Sequence, residues 1–220
     1  MKYKHIFFDL DGTITEPVVG ITNAIVYALG KYDIKVSDRA TLYKFIGPPL
    51  RDSFMEFCGF SEEKAEEAVR YYREYYSVNG VLENDIMPGM EDAIRRLRDA
   101  GCHLYVATSK PEKFAKQILE NLKLADYFDI IAGSLMDGSR DKKELVIAYL
   151  LERAGIGVSE ESLRDIVMVG DRKFDVIGAK HFGMDNIAVT FGYGDREEFF
   201  ACGAMKIVDT AAELADYILS

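Results

Sequence analysis

Short apolar runs alternate with segments of helical periodicity along most of the chain. Runs rich in Val, Ile, Phe and Tyr predict strands over residues 6–10, 103–107, 130–132, 166–169, 187–190 and 205–208. Between them, apolar residues spaced three and four apart predict helices over 90–100, 111–122, 143–154, 174–182 and 211–219. Near-continuous apolar strands are typical of parallel strands covered on both faces. The pattern therefore predicts an α/β fold with a doubly wound, Rossmann-like parallel sheet.

One long segment, residues 17–84, carries no strand signal. Its apolar spacing is helical throughout, and Ser61 followed by two glutamates is typical of a helix start. We therefore predict a core domain formed by residues 1–15 and 85–220, with an all-helical domain inserted over 16–84. Four of the tyrosines in the insert lie close together in the sequence, and we expect them to pack between helices. They are Tyr71, Tyr72, Tyr75 and Tyr76.

Two acids, Asp9 and Asp11, interrupt the first apolar run in the stretch HIFFDLDGTITEP. Carboxylates on alternate residues of a strand point to the same side, where they repel each other in a low-dielectric environment. A divalent cation relieves that repulsion, and hard carboxylate oxygens suit Mg²⁺. A strand that ends in an Asx turn at Gly12 explains the pair without a metal. An EF-hand calcium loop starting at Asp9 is excluded, because it would need glycine at Ile14 and glutamate at Gly20.

Polar side chains also follow the ends of three further predicted strands. Two hydroxyls follow the second strand, a lysine pair opens the helix after the third, and two acids follow the fourth. Each has a simpler explanation, as a helix cap or a solvated pair. Because the carboxyl ends of parallel strands meet at one edge of a sheet, we expect these residues to converge with the first two acids. They are Thr108, Ser109, Lys142, Lys143, Asp171 and Asp175.

Composition narrows the choice of partner. The chain has 220 residues and a formal net charge of -10. This acidity argues against nucleic acid or an anionic membrane as the main partner, while a small anionic substrate remains compatible with it. No apolar stretch approaches about 18 residues, and no signal peptide is recognisable. With only three scattered cysteines, the chain is expected to be cytoplasmic, with reduced thiols and no membrane span.

Together, the motifs resemble those of the haloacid dehalogenase (HAD) superfamily. The stretches DLDGT, VATSK and GDRKFD, with a helix-opening lysine between the last two, match the order and spacing of that family's motifs over essentially the whole chain. The helical insert resembles the family's cap domain, and FIGPPLRDSF resembles the loop that these proteins present to the substrate. The resemblance is greatest to phosphoglycolate phosphatase-like members. It implies a Mg²⁺-dependent phosphatase that hydrolyses a small phosphorylated metabolite.

The resemblance also implies roles for the four acids. Asp9 would attack phosphorus and form an aspartyl-phosphate. Asp11 would protonate the leaving oxygen and then activate water. Asp9, Asp171 and the backbone carbonyl of Asp11 would hold Mg²⁺. Asp175 would support the metal site from outside the ligand set.

Phosphate and substrate contacts are implied in the same way. Thr108 or Ser109 would bind the oxygens of the transferring phosphoryl group. Lys143 would neutralise both the phosphate and the nucleophile. Gly47 and Arg51, in the cap loop, would meet the rest of the substrate. In this chain Glu144 follows the lysine, where relatives that hydrolyse phosphoglycolate often carry proline, which weakens phosphoglycolate as the substrate.

Several alternatives stay open at this point. Lys142 is the alternative to Lys143, and the substrate can be phosphoglycolate, a nucleoside monophosphate as in a 5'-nucleotidase, pyrophosphate or a small sugar phosphate. A phosphomutase would form the same aspartyl-phosphate, and a phospho-accepting signalling domain would use similar residues without turnover. A dehalogenase needs neither a second carboxylate nor a metal, so Asp11 argues against it. The oligomeric state is not predicted.

Overall fold

The computed structural model describes residues 1–220, and its regular elements follow the predicted alternation closely. The strands are β1 (His5–Phe8), β2 (Thr15–Glu16), β3 (Asp85–Ile86), β4 (His103–Pro111), β5 (Ile130–Ser134), β6 (Ile166–Gly170), β7 (Asp185–Val189) and β8 (Lys206–Val208). The helices are α1 (Val18–Gly30), α2 (Leu50–Cys58), α3 (Glu62–Tyr75), α4 (Met90–Asp99), α5 (Glu112–Asn121), α6 (Lys143–Ala154), α7 (Glu160–Leu163), α8 (Lys173–His181), α9 (Arg196–Cys202) and α10 (Ala211–Leu219). Short 3₁₀ segments lie at Arg39–Phe45 and Ala125–Tyr127, and a π turn follows α3 at Tyr76–Gly80.

Six strands form one parallel sheet in the order β5-β4-β1-β6-β7-β8. The first strand therefore lies near the middle, between β4 and β6. Helices cover both faces of the sheet, as the continuous apolar strands predicted. The predicted α/β class with a parallel sheet is confirmed.

Packing on the two faces follows from the alternation of side chains along β1. Ile6 and Phe8 belong to the larger core with α4, α5 and α10, whereas Phe7 belongs to the smaller core with α6 and α8. All three side chains are fully buried. Burying each such side chain contributes about 1.5–3 kcal/mol to stability. This burial fixes the register of β1 and so the position of the residues that follow it.

The segment between β2 and β3 contains only helical elements, among them α1, α2 and α3. The two short strands pair antiparallel, with Thr15 opposite Ile86. Ser61 caps α3, and its hydroxyl accepts a hydrogen bond from the amide of Lys64. We propose that the β2–β3 ribbon connects the helical domain, called the cap below, to the core. None of the helices combines the length and apolarity needed to cross a membrane.

Candidate active site

Asp9 directly follows β1 at the carboxyl edge of the sheet. Its amide extends the strand ladder by donating to the carbonyl of Val169 at 2.9 Å. One carboxylate oxygen, Oδ1, accepts a hydrogen bond from the amide of Leu10 at 2.7 Å. The side chain is nearly buried and lines a cavity between the sheet edge and the cap. The strand thus presents a carboxylate to that cavity.

A tight loop after Leu10 brings Asp11 to the same cavity. The strand ends at Phe8, two residues earlier than predicted, so simple strand alternation does not place the second acid. Instead the carbonyl of Leu10 accepts the amides of the three residues 13–15, at 2.9–3.2 Å. Gly12 adopts a φ of +80°, and a Cβ there would lie 2.2 Å from Asp171 Oδ2. Glycine is therefore needed for both the turn and the close approach.

Lys143 bridges the nucleophile candidate and a second acid. Its ammonium lies 2.9 Å from Asp9 Oδ1 and 2.7 Å from Asp175 Oδ1, and it donates to the carbonyl of Ala107 at 2.8 Å. Burial alone would lower the pKa of Lys143, but the charges of Asp175 and Asp9 raise it above the usual value. Its two carboxylate partners therefore favour the charged form of the lysine. Lys142 is exposed at the N-cap of α6, so the structure places Lys143, rather than its neighbour, beside Asp9.

Three carboxylates form a buried cluster suited to a metal ion. Ligand oxygens of Asp9, Asp171 and Asp175 lie within 4.8 Å of one another. Asp171 is fully buried and accepts hydrogen bonds from the Thr13 hydroxyl at 3.4 Å and the Tyr193 amide at 2.7 Å. Burial, with the charges of Asp175 and Asp9, raises the pKa of Asp171 well above its usual value. A divalent cation would offset that cost, so the residues present fit Mg²⁺.

Asp175 contacts both the acid cluster and Lys143. Its carboxylate belongs to the cluster and pairs with the lysine ammonium, and its place outside the ligand set of the metal stays a prediction. Burial raises the pKa of Asp175 to about 6, although Lys143 opposes the shift. The Asp175 carboxylate also accepts the backbone amide of Arg172 at 3.1 Å, which holds the start of α8 against the cluster.

Asp11 has a partner of its own, outside the acid cluster. The ammonium of Lys110 lies 2.5 Å from Asp11 Oδ2, and both side chains are largely buried. The other oxygen of Asp11 is buried and has no hydrogen-bond partner. Burial raises the pKa of Asp11, and the charge of Lys110 opposes the rise. The two acids of the DLDGT stretch thus pair with different lysines, Asp9 with Lys143 and Asp11 with Lys110.

The cavity above these residues has a volume of about 470 Å³. Thr108 is buried and Ser109 half-buried on its sheet side. Gly47 and Arg51 line the cap side, so every predicted phosphate or substrate contact except Lys143 lies on the cavity wall. Arg51 already pairs with Glu62 at 3.3 Å and is about half exposed, so its contact with a substrate stays a prediction.

Two further arginines of the cap, Arg70 and Arg73 on α3, line the same cavity. They lie three residues apart on one helical face, and neither forms an ion pair. Burial lowers the pKa of Arg73, although Tyr72 and Asp137 nearby oppose the shift. Cationic groups without carboxylate partners are available to polar or anionic parts of a bound molecule.

One side chain of the core contacts the cap loop directly. Arg172 donates from Nη1 to the carbonyl of Ile46 at 2.7 Å, and its Nε pairs with Glu198 at 3.2 Å. Gly47 has a φ of +103°, and a Cβ there would lie 3.1 Å from Arg172 Cγ. The GDRKFD stretch therefore supplies two acids to the cluster, Asp171 and Asp175, and Arg172 between them contacts the cap.

Sequence reasoning assigned no site role to four residues that the structure brings here. Lys110 pairs with Asp11, Tyr76 reaches Lys110 from the cap, and Arg70 and Arg73 line the cavity. Arg172, which we expected near the mouth of the site, contacts the cap loop. Tyr76 was expected only to pack between helices. The only local sequence signal for these contacts was the charge of Lys110, which directly follows the hydroxyl pair at the end of a strand. Contacts between segments far apart in the sequence leave no local pattern.

Comparison with known proteins shows the family of the chain. The model of the haloacid dehalogenase-like hydrolase family matches residues 6–189. The chain is 41% identical over 201 residues to a 5'-nucleotidase of Pseudomonas aeruginosa, covering 91% of this chain and 89% of that protein. It is 30% identical over 229 residues to a phosphoglycolate phosphatase of Vibrio vulnificus, covering 99% and 97% of the two chains. A crystal structure of a predicted phosphatase from Clostridium acetobutylicum superposes with a TM-score of 0.94 at 47% identity, covering 100% and 99%.

The chain belongs to the haloacid dehalogenase-like hydrolase family. The predicted resemblance and the predicted enzyme class, a HAD-type phosphatase, are confirmed.

Proposed function

We propose that this protein is a Mg²⁺-dependent phosphomonoester hydrolase that works through an aspartyl-phosphate on Asp9. The observation that carries the proposal is the environment of that carboxylate. It faces the cavity, lies 2.9 Å from the ammonium of Lys143, and belongs to a cluster with Asp171 and Asp175. A carboxylate held by a protonated lysine beside a metal-binding cluster is suited to attack a phosphorus atom.

The reaction would proceed in two displacements. In the first, a bond forms between an oxygen of Asp9 and phosphorus while the ester P–O bond breaks, and Asp11 gives its proton to the leaving oxygen. In the second, water attacks phosphorus as the bond to Asp9 breaks, and Asp11 accepts the proton of that water. Lys143 would stabilise negative charge on the phosphoryl oxygens, and Thr108 and Ser109 would donate hydrogen bonds to them.

Mg²⁺ would be held by Asp9, Asp171 and the backbone carbonyl of Asp11, and it would supply positive charge to the phosphoryl group. The surplus of buried carboxylates over lysines supports this assignment. Asp175 would keep Lys143 and the start of α8 in place.

The cavity supports a substrate larger than a two-carbon acid. Its volume of about 470 Å³ lies in the range that encloses whole small molecules, typically about 300–1,000 Å³. Arg70 and Arg73 offer charge to the part of a substrate that lies against the cap. Together with the similarity to a 5'-nucleotidase, this favours nucleoside and sugar monophosphates as the first substrates to test, with phosphoglycolate as the second candidate.

A phosphate-release screen tests the proposal. Wild-type protein with Mg²⁺ should release phosphate from at least one member of a panel of nucleotides, sugar phosphates and phosphoglycolate. Asp9→Asn should abolish release, and Asp11→Asn should slow it strongly. The matched control is Asp92→Asn, an exposed acid on α4, which should keep full activity. Appreciable turnover by Asp9→Asn would exclude the aspartyl-phosphate route.

Intact-protein mass spectrometry separates the hydrolase from its alternatives. Substrate added to the wild type should leave little phosphorylated protein at steady state, and Asp11→Asn should accumulate one phosphoryl group. A wild-type protein that stays phosphorylated without turnover would instead be a phospho-accepting domain. Transfer of the group to a sugar rather than to water would identify a phosphomutase.

A further inference from the structure

The ion pair between Lys110 and Asp11 has no role in the chemistry described so far. The Lys110 ammonium lies 2.5 Å from Asp11 Oδ2, with the two side chains only 6% and 12% exposed. The backbone amide of Lys110 donates to the hydroxyl of Thr108 at 3.2 Å. Thr108 thus holds the backbone of Lys110, and Asp11 holds its ammonium.

Lys110 holds one oxygen of Asp11 and leaves the other without a partner. Oδ1 of Asp11 is buried and makes no hydrogen bond, while Asp11 itself lines the cavity. A carboxylate anchored through one oxygen keeps its second oxygen in a fixed place. Proton transfer to a leaving group requires such placement within hydrogen-bond reach.

The cap secures this lysine from the opposite side. The ammonium lies 5.0 Å from the ring centroid of Tyr76, within range of a cation–π contact. Tyr76 is 1% exposed, stacks on Tyr72 with ring centroids 5.1 Å apart, and meets Phe114 edge-on at 5.4 Å. The Lys110 ammonium therefore lies between a carboxylate of the core and an aromatic ring of the cap, so its position depends on the cap being packed against the core.

We propose that Lys110 is a positioning residue for Asp11: its ammonium fixes one oxygen of the Asp11 carboxylate so that the other oxygen exchanges the proton. Tyr76 holds Lys110 in place from the cap. This assignment rests on the proposed phosphatase mechanism. Lys110 itself transfers no proton and forms no bond to phosphorus. Its ammonium stays paired with Asp11 Oδ2 while the proton moves between Oδ1 and the leaving oxygen or water.

Leaving-group dependence tests this role, because kcat/KM reports the steps up to phosphorylation of Asp9. A leaving alkoxide needs a proton, whereas p-nitrophenolate leaves without one. In Lys110→Met, kcat/KM should fall about 10²-fold for an alkyl phosphate and less than about 3-fold for p-nitrophenyl phosphate, since general acid catalysis is worth about 10²–10⁴-fold. Lys110→Arg should recover most of the loss. Lys113→Met, an exposed lysine on α5, should behave as wild type.

Two further variants show whether Lys110 acts through Asp11. The double variant Lys110→Met with Asp11→Asn should be no slower than Asp11→Asn alone, because residues that act as one unit are not additive. Tyr76→Leu, which keeps both charged groups, should reproduce the selective loss on alkyl phosphates to a smaller degree, and it carries the test if Lys110→Met does not fold.

The outcomes separate this inference from the proposed function. Equal losses on alkyl and p-nitrophenyl phosphates, or a loss confined to KM, would make Lys110 a structural or substrate-binding residue and overturn the proposal. An additive double variant would also overturn it. A wild-type protein that hydrolyses none of the phosphate esters would refute the proposed function itself.

Discussion

Replacing Lys143 by methionine tests the electrostatic organisation of the site most directly. The change keeps the length of the side chain but removes ion pairs to Asp9 at 2.9 Å and to Asp175 at 2.7 Å, and a hydrogen bond to the carbonyl of Ala107. Removing one partner of a buried ion pair costs about 3–5 kcal/mol, because the remaining charge stays buried without compensation. Lys143 is 3% exposed, so water does not replace the ammonium. We expect metal-free Lys143→Met to lose about 3–5 kcal/mol of its free energy of unfolding.

Urea denaturation in metal-free buffer measures that loss. With an m value of about 3 kcal/mol/M, the midpoint should fall by about 1–2 M. At saturating substrate and Mg²⁺, kcat should fall at least about 10²-fold, the usual effect of removing one group that stabilises transition-state charge. Lys142→Met is the matched control, because this neighbour is exposed and should shift stability by less than about 0.5 kcal/mol. Equal midpoints for the two variants would refute the reasoning.

Three further predictions follow from the same geometry. Gly12→Ala should destabilise the protein by about 1–3 kcal/mol and reduce turnover, because the φ of Gly12 is +80° and a Cβ there would meet Asp171. The control Gly101→Ala, with a φ of +88° but open space around it, should keep turnover. An equal loss of turnover in both variants would contradict the steric argument. Arg172→Ala removes the hydrogen bond to the carbonyl of Ile46, so amide hydrogen exchange in the cap loop should accelerate and KM should rise about 10-fold. Unchanged hydrogen exchange would show that this contact does not hold the cap loop. Adding Mg²⁺ at about 100 times its Kd should stabilise the protein by about 2.7 kcal/mol and raise Tm by about 5–10 °C. Chelation of Mg²⁺ should stop turnover. A Tm that does not change on addition of Mg²⁺ would count against the metal site.

Helix and strand positions were largely predictable where local signals agreed. α6 and α10 begin and end at the predicted residues, since apolar spacing is regular in both. Gly155 in the left-handed conformation ends the former, and Thr210 caps the latter. The short helix α9 was missed, although Asp195 accepts the amide of Glu198 at its start. Seven residues contain too few turns for apolar periodicity to stand out.

The site divides into a predictable part and an unpredictable part for a topological reason. Residues at strand ends could be grouped from the sequence, because a parallel sheet brings those ends to one edge. The contact partners of Asp11 and of the cap loop could not be predicted. Lys110 lies 99 positions from Asp11 in the sequence, and Arg172 lies 126 positions from Ile46. Such contacts depend on how the cap packs on the core, and no local pattern encodes that packing. The roles assigned to these residues stay predictions until the variants are measured.

The balance of charge at the sheet edge links the fold to the proposed chemistry. Four buried or nearly buried acids of the core, two of them in the DLDGT stretch, face only two ammonium groups. When all are ionised, the site keeps two net negative charges, which would repel a phosphate dianion. One divalent cation cancels that excess, so phosphate binding and metal binding are expected to be mutually dependent. Because both ammonium groups already pair with acids of the site, they leave this excess of negative charge, and phosphate binding should require the bound cation. In the proposed mechanism, Lys143 and Lys110 would then keep Asp9 as the nucleophile and Asp11 as the proton-exchanging acid in separate, fixed positions.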